Sequence, residues 1–105
     1  MKKLLALGVA GAVAIAAVPA FAASRTVRVD DNEFAPDAIT VRKGDTIRFR
    51  WVGDAPHNVT RTQGPRFRTI ANRRTGTIPR RLTRAGTYRL VCTIHPGMDL
   101  RIRVR

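Results

Sequence analysis

The chain has 105 residues, 44% of them hydrophobic, and a formal net charge of +13 from 20 Lys and Arg against 7 Asp and Glu. That length holds one domain, and a single cysteine excludes any intramolecular disulfide. The positive excess attracts acidic proteins, anionic polymers or anionic surfaces, and says nothing about the fold.

Lys2 and Lys3 form a basic start, residues 4–18 an apolar and small-residue run, and Ala20-Phe21-Ala22 a small-residue cleavage signature. This pattern reads as a secretory signal peptide over residues 1–22, which leaves a domain over residues 23–105. The apolar run is shorter than the ~20 residues a spanning helix needs. Lipoprotein anchoring needs a cysteine just after that run, and the only cysteine is Cys92. No stable membrane anchor is therefore expected, and the mature protein is expected in a periplasm or outside the cell. Losing Lys2 and Lys3 takes the net charge from +13 to +11, since every acidic residue lies in the mature part.

After the leader the chain alternates in short segments. Val27 and Val29 share one face with Arg28 on the other, and Ile39 and Val41 repeat the pattern before a turn at Lys43-Gly44-Asp45. Ile47, Phe49 and Trp51 then face one way and Arg48 and Arg50 the other; period two argues a half-buried strand. Gly53-Asp54-Ala55-Pro56 breaks that strand and delivers His57. Residues 61–74 are basic and irregular, and no element is expected there. Residues 75–82 supply a further strand, placed at a sheet edge by Pro79. After a turn at Arg84-Ala85-Gly86, Tyr88, Leu90 and Cys92 share a face, and Leu100, Ile102 and Val104 face inward in the last strand, with Arg101, Arg103 and Arg105 outward. Short strands separated by turn signals, with no helical period, predict an all-β antiparallel sandwich. The outward arginines also blunt sheet edges against aggregation.

Once the leader is set aside, the only cysteine, both histidines and the only methionine fall at His57 and within Cys92-Thr93-Ile94-His95-Pro96-Gly97-Met98. A lone cysteine reads most simply as a small buried hydrophobe, but His95 and Met98 follow it in one turn. A thiolate, two imidazoles and a thioether form the donor set of a blue-copper electron-transfer site. Methionine is a poor zinc ligand, which disfavours a structural zinc site.

The Cys-x-x-His-x-x-Met segment, with Pro56-His57-Asn58 upstream, resembles the cupredoxins, and its short ligand loop is most similar to that of the amicyanins within the plastocyanin and azurin group. The resemblance implies a Greek-key cupredoxin-like sandwich with the two turns at one end, holding one copper ion that cycles between Cu(I) and Cu(II). In that reading His57, Cys92 and His95 form the plane and Met98 is the weak axial ligand. Asn58 ties the two ligand loops together, Thr93 makes a related contact, and Pro56, Pro96 and Gly97 surround the exposed edge of His95 as an electron port. Phe34 and Tyr88 match family positions and are equally explained as core. The expected function is single-electron transport by an exported monomer, with redox partner proteins that carry acidic docking surfaces, because this chain is basic. No specific nucleic acid is expected. Enzymes of the multicopper oxidase or nitrite reductase kind need further histidines, and both are already used.

Two other functions fit the sequence. Copper scavenging, or delivery of copper to another exported protein, uses the same ligands. A metal-free basic sandwich binding anionic polymers is motivated by Arg61, Arg66, Arg68, Arg73 and Arg74, although Phe67 is the only aromatic among them.

Overall fold

A computed structural model describes residues 21–105; apart from Phe21 and Ala22, the expected leader lies outside the described residues. Nine strands follow: β1 (Ser24–Asp30), β2 (Glu33–Ala35), β3 (Ala38–Val41), β4 (Thr46–Trp51), β5 (His57–Gln63), β6 (Ile70–Arg73), β7 (Thr77–Arg81), β8 (Gly86–Val91) and β9 (Asp99–Val104). They form a four-stranded sheet in the order β2-β1-β4-β7 and a five-stranded sheet in the order β3-β9-β8-β5-β6. Each strand and each buried hydrophobic residue among the described ones lies between Ser24 and Val104.

Period-two alternation does what the sequence predicts. Val27, Val29, Ile47, Phe49, Leu90 and Ile102 are completely buried, while Arg28, Arg48, Arg50, Arg89, Arg101 and Arg103 stand exposed between them. Burying each such side chain contributes ~1.5–3 kcal/mol, and interdigitation of the two inner faces makes the core. Tyr88 is buried as well, and its hydroxyl donates to the Arg84 carbonyl at 2.9 Å. Pro79 lies on β7 at the edge of its sheet, where a missing N–H breaks no ladder.

Most neighbouring strands pair antiparallel, and each sheet also contains one parallel pair: β1 with β4, and β3 with β9. The chain leaves the first sheet after β2, enters the second as β3 and returns as β4, and such a crossover brings β4 back in the direction of β1. Alternation alone carries no information about pairing direction. The basic region over residues 61–74, where no element is expected from the sequence, contains β6 and the last three residues of β5. Phe67 is buried there with its ring edge-on to Phe49, centroids 6.0 Å apart, and Ile70 is buried beside it.

Sheet order positions the site. β8 and β9 form a hairpin whose last pair is Val91 with Asp99, so residues 92–98 are its closing loop. β5 runs antiparallel to β8, with Thr60 opposite Val91. The start of β5 must therefore lie beside the end of β8, which brings His57 to Cys92 across 35 residues of sequence.

Candidate metal centre

The loop over residues 92–98 is held by its own backbone. The Cys92 N–H donates to the Met98 carbonyl at 3.1 Å, and the Met98 N–H donates to the His95 carbonyl at 3.2 Å. Gly97 closes the turn at φ +84°, a left-handed conformation that favours glycine. Cys92 and Met98 are buried, His95 is half-buried, and Ile94, Pro96 and Gly97 are exposed.

His57 is fully buried at the start of β5. Its Nδ1 lies 3.0 Å from Nδ1 of His95, and the Cys92 Sγ lies 3.9 Å from the first and 3.5 Å from the second. A triangle with those sides has its centre about 2.0 Å from each corner, close to the roughly 2.0–2.3 Å of metal–nitrogen and metal–sulfur bonds. Three donor atoms converging so tightly could hold one ion between them. Among the described residues His57, Cys92 and His95 form a metal-capable group whose ligand atoms all lie within 4.8 Å of one another. Together with Met98, buried at the end of the same loop, the donor set is suited to a single copper ion.

Orientation of His57 comes from Asp31, a residue that sequence reasoning did not single out. Its Oδ1 lies 2.9 Å from Nε2 of His57, so the Nε2–H donates to the carboxylate and Nδ1 keeps its lone pair for the cluster. Asp31 is itself held by the backbone N–H groups of Ala55 at 3.0 Å and Asp54 at 3.1 Å. These contacts, the His57 hydrogen bond foremost, lower the Asp31 pKa to about 2. Gly53 belongs to the same arrangement, because a Cβ there would overlap the Asp31 carboxylate. The only hint in the sequence is the Asp30-Asp31-Asn32 turn, which reads simply as turn chemistry. Trp51, expected only as core, is buried with its Nε1–H donating to the His57 carbonyl at 3.2 Å.

Asn58 joins three segments. Its Nδ2 donates to Thr93 Oγ1 at 2.8 Å and to Asn72 Oδ1 at 2.9 Å, and its Oδ1 accepts from the Thr93 N–H at 3.2 Å and the Thr60 hydroxyl at 2.8 Å. All its polar valences are used, as burial requires. Pro56 is half-buried next to His57 in the chain. The structure thus brings together His57, Cys92 and His95, and places Met98, Asn58 and Thr93 in or against the same loop pair.

Residues 3–101 match the cupredoxin-like domain family. The chain is 30% identical to a plastocyanin from Prochlorothrix hollandica over 104 residues, covering 88% of this chain and 79% of that one. A mutant amicyanin in its Cu(I) form superposes with a TM-score of 0.69 at 26% identity, over 86% of this chain and 88% of that chain. A purple cupredoxin from Nitrosopumilus maritimus gives a TM-score of 0.69 at 16% identity, over 77% of this chain and 99% of that chain, and shares the fold.

Proposed function

The chain belongs to the cupredoxin-like family, and from that premise we propose that it is an exported carrier of single electrons whose copper ion is held by His57, Cys92, His95 and Met98. The observation that carries this reading is the triangle of two Nδ1 atoms and one Sγ at 3.0, 3.5 and 3.9 Å. Copper supplies the one-electron couple between Cu(I) and Cu(II). Cys92 would give the ion an anionic sulfur, His57 and His95 would give two imidazole nitrogens, and Met98 would give a weak thioether donor that favours Cu(I).

A carrier must keep nearly one geometry in both oxidation states. Three devices favour that here: the hairpin that clamps residues 92–98, the Asp31 hold on His57, and the Asn58 links between the loops. Half-buried His95, ringed in sequence by exposed Ile94, Pro96 and Gly97, is the route by which an electron enters or leaves, with Pro56 at the rim. Among the described residues no arginine or lysine side chain forms a salt bridge with an acidic one, so the surface arginines are not neutralised there. Arg73 and Arg74 stand in or next to β6 near the site: Arg73 pairs with His57 and its guanidinium lies 5.7 Å from the Trp51 ring. An acidic redox partner fits that charge. Export rests on the leader pattern over residues 1–22; among the described residues no helix is long and apolar enough to cross a membrane. The domain over residues 23–105 is the mature monomer.

Voltammetry of the copper-loaded protein tests the electron-carrier role. Rapid, repeated reduction and oxidation with no copper loss is expected, whereas ready transfer of Cu(I) to an acceptor chelator with slow cycling would make the protein a copper donor. Met98→Gln is expected to keep the coloured site and lower its potential, because a harder donor in place of the thioether would favour Cu(II); an unchanged potential would remove Met98 from the ligand set.

A further inference from the structure

The end of the sandwich where β1 begins carries a buried charge that the copper reading leaves unused. Asp45, between β3 and β4, is only 4% exposed. Its Oδ2 accepts the Arg42 N–H at 2.9 Å and its Oδ1 accepts the Ala23 N–H at 2.9 Å. The Asp45 carbonyl accepts the Leu82 N–H at 2.9 Å, and the Thr46 N–H donates to the Ala23 carbonyl at 3.0 Å. Ala23 is therefore gripped on both sides, by a carboxylate at its nitrogen and by β4 at its oxygen.

Burying an aspartate is costly unless its charge is answered. Among the described residues no side chain forms an ion pair with it. Arg42, Lys43 and Arg81 line the rim of the same shallow groove, together with Phe21 and Ala22, and Arg25 lies near enough to act through its field. The direct contacts to the carboxylate are nonetheless backbone N–H groups, one of which belongs to the first residue of the expected mature chain.

We propose that Asp45 is the receptor for the α-amino group created when the leader is removed at the Ala22–Ala23 bond. Hydrolysis by a signal peptidase adds water across that bond: the hydroxyl goes to the Ala22 carbonyl carbon, and the Ala23 nitrogen gains a hydrogen and then a proton. The atom that donated to Asp45 as an amide then donates as an ammonium from the same place, and an ionised donor makes a hydrogen bond roughly twice as strong as a neutral one. A cut one residue earlier leaves that nitrogen an amide, and a cut one residue later removes it. Maturation at this bond is thus read out by the fold as stability, with β1 pinned against β4 from its first residue.

The inference rests on the export reading, and two measurements separate their failures. The intact mass of the exported protein is expected to correspond to a start at Ala23; any other start overturns the proposed maturation. Independently, chains beginning at Ala23 and at Ala22 are compared by urea unfolding, each with Asp45 and with Asp45→Asn; both contain every strand. The Ala23 start is expected to lower the unfolding constant three- to tenfold, and the difference is expected to vanish in Asp45→Asn. Acetylating the Ala23 terminus is expected to abolish the gain with Asp45 intact, which keeps the test decisive if Asp45→Asn folds poorly. Equal stability of the two starts, or an advantage that survives acetylation or Asp45→Asn, would overturn the docking.

Discussion

Strand β9 alternates buried and exposed residues from Asp99 to Val104, whereas β5, two places away in the same sheet, buries His57, Asn58 and Val59 in succession. β9 pairs in unbroken register with β8 on one side and β3 on the other. Its inward Leu100, Ile102 and Val104 add only apolar area to the core. β5 breaks register between His57 and Val59 and again between Arg61 and Gln63. Such bulges re-aim side chains, and here two consecutive polar ones are buried with partners from the β1–β2 turn, β6 and the ligand loop. The periodic strand supplies stability, and the aperiodic strand supplies His57 and the Asn58 link to the loop that carries Cys92 and His95.

That contrast can be broken at either strand. Ile102→Ala, at a fully buried position of β9, is expected to destabilise the protein by about 2–5 kcal/mol. Chemical denaturation measures the loss, and the copper spectrum of the folded fraction is expected to stay unchanged; an altered spectrum would show that β9 shapes the site directly. Asn58→Ala removes four hydrogen bonds and leaves buried partners unanswered. A loss of about 2–3 kcal/mol is expected, this time with an altered spectrum, because the two ligand loops lose their link. If the spectrum is kept, the hairpin alone positions Cys92 and His95.

Asp31→Ala sharpens the comparison further. It leaves the apolar core intact and frees His57 Nε2, so copper affinity is expected to fall roughly 10–100-fold, as read by competition with a chelator, with a smaller loss of stability than in Ile102→Ala because no apolar side chain is removed. Unchanged affinity would mean that Trp51 and the backbone suffice to orient His57. The pH dependence follows from the same contact. The folded pKa of Asp31 is depressed to about 2 from 3.8, so its contribution to stability is present above the ordinary value and is lost as pH falls through about 2. In Asp31→Asn the part of the acid unfolding curve between those values is expected to flatten. Smallest is Tyr88→Phe, which deletes the bond to the Arg84 carbonyl in the periodic part of the fold. It is expected to cost about 1 kcal/mol and leave copper binding untouched; a shifted spectrum would show coupling between the scaffold and the site.

Much of this is legible in the residues. Val27, Val29, Ile39, Val41, Ile47, Phe49, Trp51, Tyr88, Leu90, Leu100, Ile102 and Val104 are all read as inward by alternation and are all buried. Pro79 identifies an edge strand. β5 and β6 escape notice because bulges erase period two, and because Val59, Phe67 and Ile70 are isolated among polar and basic neighbours. The metal-capable residues stand out because residues 23–105 hold one cysteine, two histidines and one methionine, all of them at these positions. Asp31 does not, since its role depends on a contact across 26 residues that only the fold creates. Pairing direction is likewise invisible to a pattern of sides.

The most direct test is the visible and paramagnetic-resonance spectrum of the protein after adding one equivalent of Cu(II), beside Cys92→Ser. An intense blue or green band with narrow copper hyperfine splitting, bleached reversibly by a mild reductant and absent from a still folded Cys92→Ser, is the predicted result. A pale, ordinary copper spectrum, or full colour in Cys92→Ser, would contradict a site in which His57, Cys92 and His95 meet on one ion.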